Sequence, residues 1–228
     1  MAGTLYIVSA PIGNLEDITL RALRILKEVD LIAAEDTRHT RKLLSHYDIH
    51  TPMISYFEHN EIRRSRLLLE KLQSGSKVAL VSNAGTPAIS DPGYHIINLC
   101  IEAGTEIIPI PGPSAFLAAA VVSGFPLHSF TFEGFLPTKG SRRVNRLNML
   151  RDEARTLIFY ESPHRLLKFL VNVLETLGDR DLVIARELTK MYEEIYRGSV
   201  SMAIEKFKEE EPRGEFAIVI RGARDEDN

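Results

Sequence analysis

The sequence predicts an α/β protein of two domains, and three observations carry that prediction. Five β-like runs alternate with amphipathic stretches through the first half. A Pro111-Gly112-Pro113 break ends the alternation, and a different mixture of strands and helices follows it. With 228 residues, 44% of them hydrophobic and 26% charged, the chain has the balance of an ordinary globular protein and the length to bury a core.

Taken in order, the first-half strands are predicted at 4–9, 31–34, 52–55, 77–82 and 106–110. Between them Leu20, Leu23, Leu26 and Val29 recur near helical spacing, as do Leu68 and Leu72, and then Ile96, Ile97 and Ile101. Repeated β-then-α units imply a mostly parallel sheet. Pro113 suits the first turn of an Ala-rich helix at 114–122 that stops at Gly124, so the domains divide into 1–113 and 114–228. The second domain is predicted to hold strands at 129–133, 156–160, 182–186, 192–198 and 215–221, with helices at 138–151, 163–177 and 201–209. That order implies a mixed sheet with antiparallel pairing. An acidic tail from about 224, ending Asp225-Glu226-Asp227-Asn228, is expected to fray.

Several classes are excluded early. The single cysteine, Cys100, allows no intrachain disulfide and lies in an apolar helical stretch where core packing is expected. A net charge of −3 argues against non-specific coating of nucleic acid but leaves room for a local basic patch. No apolar run is long enough to span a bilayer, and the N-terminus lacks a basic leader, so a cytoplasmic enzyme without a membrane partner is expected. His46 and His50 stand four apart without further ligands in pattern, so no metal site is predicted. The dinucleotide fingerprint, the hydrolase elbow and a correctly spaced P-loop are all missing.

What carries chemistry is a set of turns after strands. Ser9-Ala10-Pro11-Ile12-Gly13-Asn14, Ser82-Asn83-Ala84-Gly85-Thr86-Pro87 and Pro111-Gly112-Pro113-Ser114-Ala115 each follow a predicted strand, where loops expose backbone N–H groups beside helix N-termini. Small residues there let a flat or extended ligand approach the backbone.

The run from Ala79 through Ser82-Asn83-Ala84-Gly85-Thr86-Pro87 and Ile89-Ser90-Asp91-Pro92 to Gly93 resembles the signature of the tetrapyrrole methylase superfamily. Taken with Tyr6-Ile7-Val8-Ser9-Ala10-Pro11-Ile12-Gly13-Asn14-Leu15, Ala34-Glu35-Asp36-Thr37-Arg38, Glu133-Gly134-Phe135-Leu136-Pro137 and Phe159-Tyr160-Glu161-Ser162-Pro163-His164-Arg165, it is similar to one bacterial branch, whose members methylate a ribose 2′-hydroxyl of ribosomal RNA. The stretches Ala185-Arg186-Glu187-Leu188-Thr189-Lys190 and Gly214-Glu215-Phe216 agree. The resemblance implies a tetrapyrrole-methylase-like fold with S-adenosylmethionine in a cleft between the two domains. It also implies methylation of a cytidine in small-subunit (16S) ribosomal RNA on the assembled 30S subunit, by a homodimer. Carried over residue by residue, it places Pro11, Ile12, Gly13, Gly85, Thr86, Pro87, Ile89, Ser114, Ala115 and Ala185 at the cofactor. Two departures stand out: the family usually has Asp where this chain has Asn83, and many members carry a further helical region beyond the position of Arg224. A tetrapyrrole-precursor methylase and a non-catalytic cofactor- or RNA-binding module are the alternatives.

A ribose hydroxyl is a poor nucleophile until its proton is removed. The candidates for that role are Glu35, Asp36, Lys139 and Glu187 with Lys190; for Glu35 and Asp36 the alternative is a helix N-cap paired with Arg38. The segment Thr138-Lys139-Gly140-Ser141-Arg142-Arg143-Val144-Asn145-Arg146 carries four positive charges and no acid. Lys139, Arg142, Arg143 and Arg146, with Arg38, are therefore the expected RNA contacts. Tyr56, Phe57 and Phe132 are the aromatics considered for base stacking, with core packing the favoured role.

Overall fold

The computed structural model describes residues 3–223, so the acidic tail at 225–228 lies outside the described residues. The chain forms two compact units, Met1–Ser114 and Ala115–Asn228.

In the first unit, strands β1 (Thr4–Val8), β2 (Leu31–Ala34), β3 (Met53–Ser55), β4 (Val78–Val81) and β5 (Glu106–Ile110) form a sheet in the order β3-β2-β4-β1-β5. Every pairing is parallel. Because crossover helices cover both faces, β2 and β4 are buried throughout, which explains why they read as unbroken apolar runs. Helices α1 (Leu20–Glu28) and α2 (Thr37–His46) pack on one face through Ala22, Ile25, Leu26, Leu43 and Leu44. Helices α3 (Glu61–Gln73) and α4 (Tyr94–Glu102) cover the other through Leu68, Leu72, Ile96 and Cys100. Burial there pushes the Cys100 thiol up to about 11. The chain leaves β1 towards β2 but leaves β4 towards β5, so two neighbouring strands send their crossovers in opposite directions. The carboxyl ends of such a pair open the crevice where parallel sheets hold ligands.

In the second unit, β6 (Phe130–Phe135), β7 (Thr156–Glu161), β8 (Asp181–Arg186), β9 (Glu194–Ser199) and β10 (Phe216–Ile220) run in the order β6-β7-β10-β8-β9. Only β6 with β7 is parallel; the other three pairings are antiparallel. Helix α5 (Ala115–Ser123) lies on one face, where Ala119 and Ala120 meet Ile158, Val183, Ala185, Ala217 and Val219. Helices α6 (Gly140–Met149), α7 (Pro163–Leu177) and α8 (Val200–Glu209) cover the other around Leu147, Leu166, Phe169, Leu170 and Val200. Strand β6 runs two residues past its predicted end. A bulge between Phe132 and Gly134 lets pairing continue to Phe135, with Phe132 opposite Ile158, Gly134 opposite Phe159 and Phe135 opposite Tyr160. The helix predicted at 138–151 is correspondingly shorter at both ends.

Candidate functional site

The three turns of the first unit are knitted together at the carboxyl ends of β1, β4 and β5. Ala10 and Gly85 exchange both backbone hydrogen bonds, at 2.8 and 3.0 Å, and the hydroxyls of Ser9 and Thr86 lie 2.8 Å apart. A Cβ on Gly85 would sit 3.7 Å from Ile12 Cγ2 and 3.8 Å from Pro113 O, so residues of all three turns meet around one glycine. Its φ of +67° is one that side chains disfavour. A Cβ on Gly112 would lie 2.8 Å from that of Ser9. Among the cofactor candidates, Pro11, Ile12, Gly85 and Pro87 are buried, Thr86 and Ser114 are half-buried, and Gly13 and Ile89 are exposed.

Carboxylates line the same end of the sheet. Glu35 Oε2 accepts the Asn83 N–H at 3.0 Å while Asn83 Oδ1 accepts the Asp36 N–H at 3.2 Å, so the β2 and β4 turns clasp each other. Asp36 caps α2 by accepting the Arg38 N–H at 2.8 Å, and that bond holds its carboxyl below the ordinary carboxylate range. A carboxyl held in that way is a weak proton acceptor at neutral pH. Arg38 is exposed, with Nε 3.5 Å from Asp36. Asp91, a residue of the signature run outside the candidate set, follows two residues in the left-handed region, Ala88 and Ser90. Burial, with the nearby Glu35 charge, pushes its carboxyl up to about 7 against a hydrogen bond from Ser82. Left-handed backbone next to a displaced pKa makes this turn a candidate part of the site.

In the second unit the basic segment divides. Lys139 and Arg142 are exposed at the head of α6. Arg146 is exposed but forms two bonds, of 2.7 and 2.8 Å, to Glu133, an acid outside the window that had suggested an uncompensated patch. Arg143, predicted to contact RNA, is 1% exposed and cannot do so. The α6 periodicity turns it inward, where Nε donates to Asn172 Oδ1 at 2.8 Å. It joins a buried polar group that sequence reasoning missed. Arg165 Nη2 lies 3.1 Å from Glu161 Oε1 and donates to Leu136 O at 2.6 Å, and Glu161 Oε2 accepts the Ser162 N–H. The i,i+4 spacing of Glu161 and Arg165 across the β7–α7 junction is the signal that could have found it.

The remaining candidates are held in local structure. Against burial that would raise it, hydrogen bonds from Lys190 and the Glu215 N–H hold Glu187 below its ordinary range, and Lys190 is clamped 2.9 Å from both Glu187 and Glu215. Ala185, expected at the adenine side, is 1% exposed and packs in the apolar layer with α5, because it faces that side of β8. Ala115 is half-buried at the start of α5. Tyr56 is fully buried with its hydroxyl on Ser65, Phe57 is exposed, and Phe132 stacks on Phe116 at 4.5 Å. Among the described residues no group of three or more His, Cys, Asp or Glu is placed to hold a metal ion, and no helix is long and apolar enough to cross a membrane.

Residues 4–203 match the family model described as tetrapyrrole (corrin/porphyrin) methylases. The chain belongs to that family. Within the tetrapyrrole methylases it is 54% identical over 226 residues to "Ribosomal RNA small subunit methyltransferase I" of Synechocystis sp., covering 99% of this chain and 81% of the relative. It is 51% identical to the protein of the same name from Thermotoga maritima, covering 96% of this chain and 99% of that one. Among solved structures, a cobalt precorrin-4 methyltransferase superposes with a TM-score of 0.72 at 19% identity, covering 96% of this chain and 94% of the other. The uroporphyrin-III C-methyltransferase of Thermus thermophilus, complexed with S-adenosylhomocysteine, gives 0.67 at 20% identity, covering 95% and 97%. These two likenesses are of fold.

Methyltransferases of this family use S-adenosylmethionine. The first-unit residues fit such a group. It carries a carboxylate, two cationic centres and a flat base. The turns offer backbone N–H donors, a space at Gly85 that any side chain would fill, and the Asp91 carboxylate as a counter-charge.

Proposed function

We propose that this chain transfers a methyl group from S-adenosylmethionine to the 2′-hydroxyl of a cytidine in small-subunit (16S) ribosomal RNA, within the assembled small subunit, as a cytoplasmic homodimer. The observation that carries this reading is the 51% identity with an rRNA small subunit methyltransferase I across 99% of that relative's length. Two features support it. The small-residue turns of the first unit suit the cofactor, and Lys139 and Arg142 at the head of α6 suit a phosphate backbone. For the homodimer, the support is α5, whose Leu117 and Val121 are left exposed beside the buried Ala119 and Ala120.

In this reading Pro11, Ile12, Gly13, Gly85, Thr86, Pro87, Ile89, Ser114 and Ala115 form the cofactor wall. When bound, S-adenosylmethionine supplies an electrophilic methyl carbon. The Glu35–Asn83–Asp36 clasp fixes the turn that carries Gly85 and Thr86, and the half-buried Asp91 carboxyl, pushed up to about 7, is drawn into its charged form when a cationic group binds next to it. Asp36 and Glu187 serve as structural carboxylates.

The test is transfer of radiolabelled methyl to small subunits from cells lacking this gene, with free ribosomal RNA and a tetrapyrrole precursor as parallel acceptors. Label on a cytidine ribose, seen as an alkali-resistant dinucleotide, is the expected result. Label on the macrocycle alone would overturn it, and cofactor binding without transfer to any acceptor would point to the non-catalytic module.

A further inference from the structure

The bulge in β6 has an effect on one side chain that strand alternation alone would not produce. Phe130 and Phe132 face the α5 side of the second sheet, with Ile158. Two-residue periodicity would then put residue 134 on that face and residue 135 on the opposite one, in the apolar layer under α6 and α7. The extra residue shifts the register by one, so Phe135 stands opposite Tyr160, which belongs to the α5 side, instead of Glu161, which alternation places on the same face as Phe159 and the buried layer. The bulge is held on both flanks. Glu133 turns its carboxylate to Arg146, and Gly134 takes a φ of +60°. Leu136, which follows Phe135, is 3% exposed and its carbonyl accepts a hydrogen bond from the half-buried Arg165.

The outcome is a phenylalanine 53% exposed, on a rigid strand end, four residues from Lys139 and seven from Arg142. Its ring centroid lies 5.5 Å from that of Tyr160 in a tilted arrangement, and Tyr160 in turn meets Phe132 edge-on at 5.1 Å, so the exposed ring is backed by an aromatic cluster. An apolar side chain turned out of a core by a dedicated bulge, against an aromatic backing and followed within seven residues by two exposed cations that have no ion pair among the described residues, matches the requirements of a surface that holds an unstacked base while its phosphates meet lysine and arginine.

We propose that Phe135 is a base-stacking platform for single-stranded RNA, aimed by the β6 bulge and working beside Lys139 and Arg142. This rests on the reading of the chain as a ribosomal RNA methyltransferase. It adds a recognition contact that is independent of charge: a face that takes any base, in a segment whose cations take the backbone.

The test compares wild type with Phe135→Ala, Phe135→Leu and Phe135→Trp in methyl transfer to unmethylated small subunits, at several salt concentrations. Because the ring is half exposed, all three variants are expected to fold, which a thermal melt checks. Phe135→Ala is expected to raise KM for subunits roughly 5- to 100-fold, with kcat and S-adenosylhomocysteine affinity little changed and the slope of log KM against log salt the same as wild type. Phe135→Trp is expected to retain wild-type KM, whereas Phe135→Leu stays weak because it is apolar but has no ring face. A leucine variant equal to wild type would overturn the stacking role, as would an alanine variant with unchanged KM. A shift to smaller particles in sedimentation of Phe135→Ala would also overturn it, by assigning the ring to a protein interface. If wild type itself labels no ribosomal RNA, the functional reading falls and this inference with it; if wild type labels RNA and the variants do not differ, this inference falls alone.

Discussion

The turn cluster at the ends of β1, β4 and β5 and the β6–α6 segment of the second unit are both loops following strands, yet they are made of opposite materials. The first is backbone and small side chains: Ala10 bonded to Gly85, Ser9 beside Thr86, and a glycine at 112 where a Cβ would crowd Ser9. The second is long charged chains, and half of its cations are already engaged, with a further arginine of α7 bound to its backbone. Arg143 is buried on Asn172, Arg146 is tied to Glu133, and Arg165 props Leu136 from beneath. Only Lys139 and Arg142 of the four cations in the predicted window stay exposed without a recorded partner among the described residues. A basic run in sequence is thus a mixture of scaffold and contact surface, and helical phase decides which member does which.

Adjacent arginines offer the sharpest way to break that comparison. Arg143→Ala takes the donor from Asn172 Oδ1, opens a cavity and removes positive charge near the buried Glu161, so it is expected to cost about 3 kcal/mol or more in urea denaturation. Arg142→Ala, one residue away on the exposed face, is expected to stay within about 0.5 kcal/mol. Equal costs would mean that the two arginines are not divided as described. In the first unit, Gly112→Val forces a Cβ against Ser9 and is expected to weaken S-adenosylhomocysteine binding about tenfold or more by calorimetry, with α6 and its surroundings untouched.

Asp91 gives a smaller, pH-dependent effect. Its folded pKa of about 7 lies above the ordinary 3.8, so between those values the folded state keeps a proton that the unfolded chain releases. Stability therefore falls as pH rises through that window and levels off above it. Asp91→Asn removes this slope and is expected to exceed wild type at pH 8 by about 1–2 kcal/mol, after allowing for the solvent that screens a partly exposed group; parallel denaturation at pH 5 and pH 8 measures it. The smallest change belongs to the surface cations. Lys139→Ala with Arg142→Ala is expected to reduce the slope of log affinity for RNA against log salt by about 1.4, without moving the melting temperature.

Most of the architecture was legible because glycines, prolines and apolar runs act locally. The strand at 31–34 and the helix at 163–177 fall where the apolar pattern puts them, and Pro163 opens α7 as a first-turn proline should. The turns were legible for the same reason, since Gly85 and Gly112 are explained by the backbone they serve. What escaped depends on partners distant in sequence. Arg143 finds its buried partner in Asn172, 29 residues on, and Arg146 is neutralised by an acid 13 residues before it. Asp91 owes its raised pKa to burial and to Glu35 on another strand end. The order of the second sheet, with β10 between β7 and β8, has no local marker at all.

The two sheets also differ in when an interior strand meets its neighbours. In the first unit β1 lies between β4 and β5, pairing Leu5 with Val78 and Thr4 with Glu106, so it waits while about 70 further residues are translated for its first neighbour and about 100 for its second. At common elongation rates the first wait is roughly 4 to 15 seconds, during which an apolar strand destined for the interior has no neighbour and is open to chaperones or to mispairing. In the second unit the interior strand is β10, behind all its partners in the chain. There β6–β7 and β8–β9 emerge as two separate ribbons, and the sheet closes only when Phe216–Ile220 slides between them. One half of the protein begins with an interior strand and the other ends with its central one, so a nascent chain halted before residue 216 would carry a finished first sheet and a second one still in two pieces.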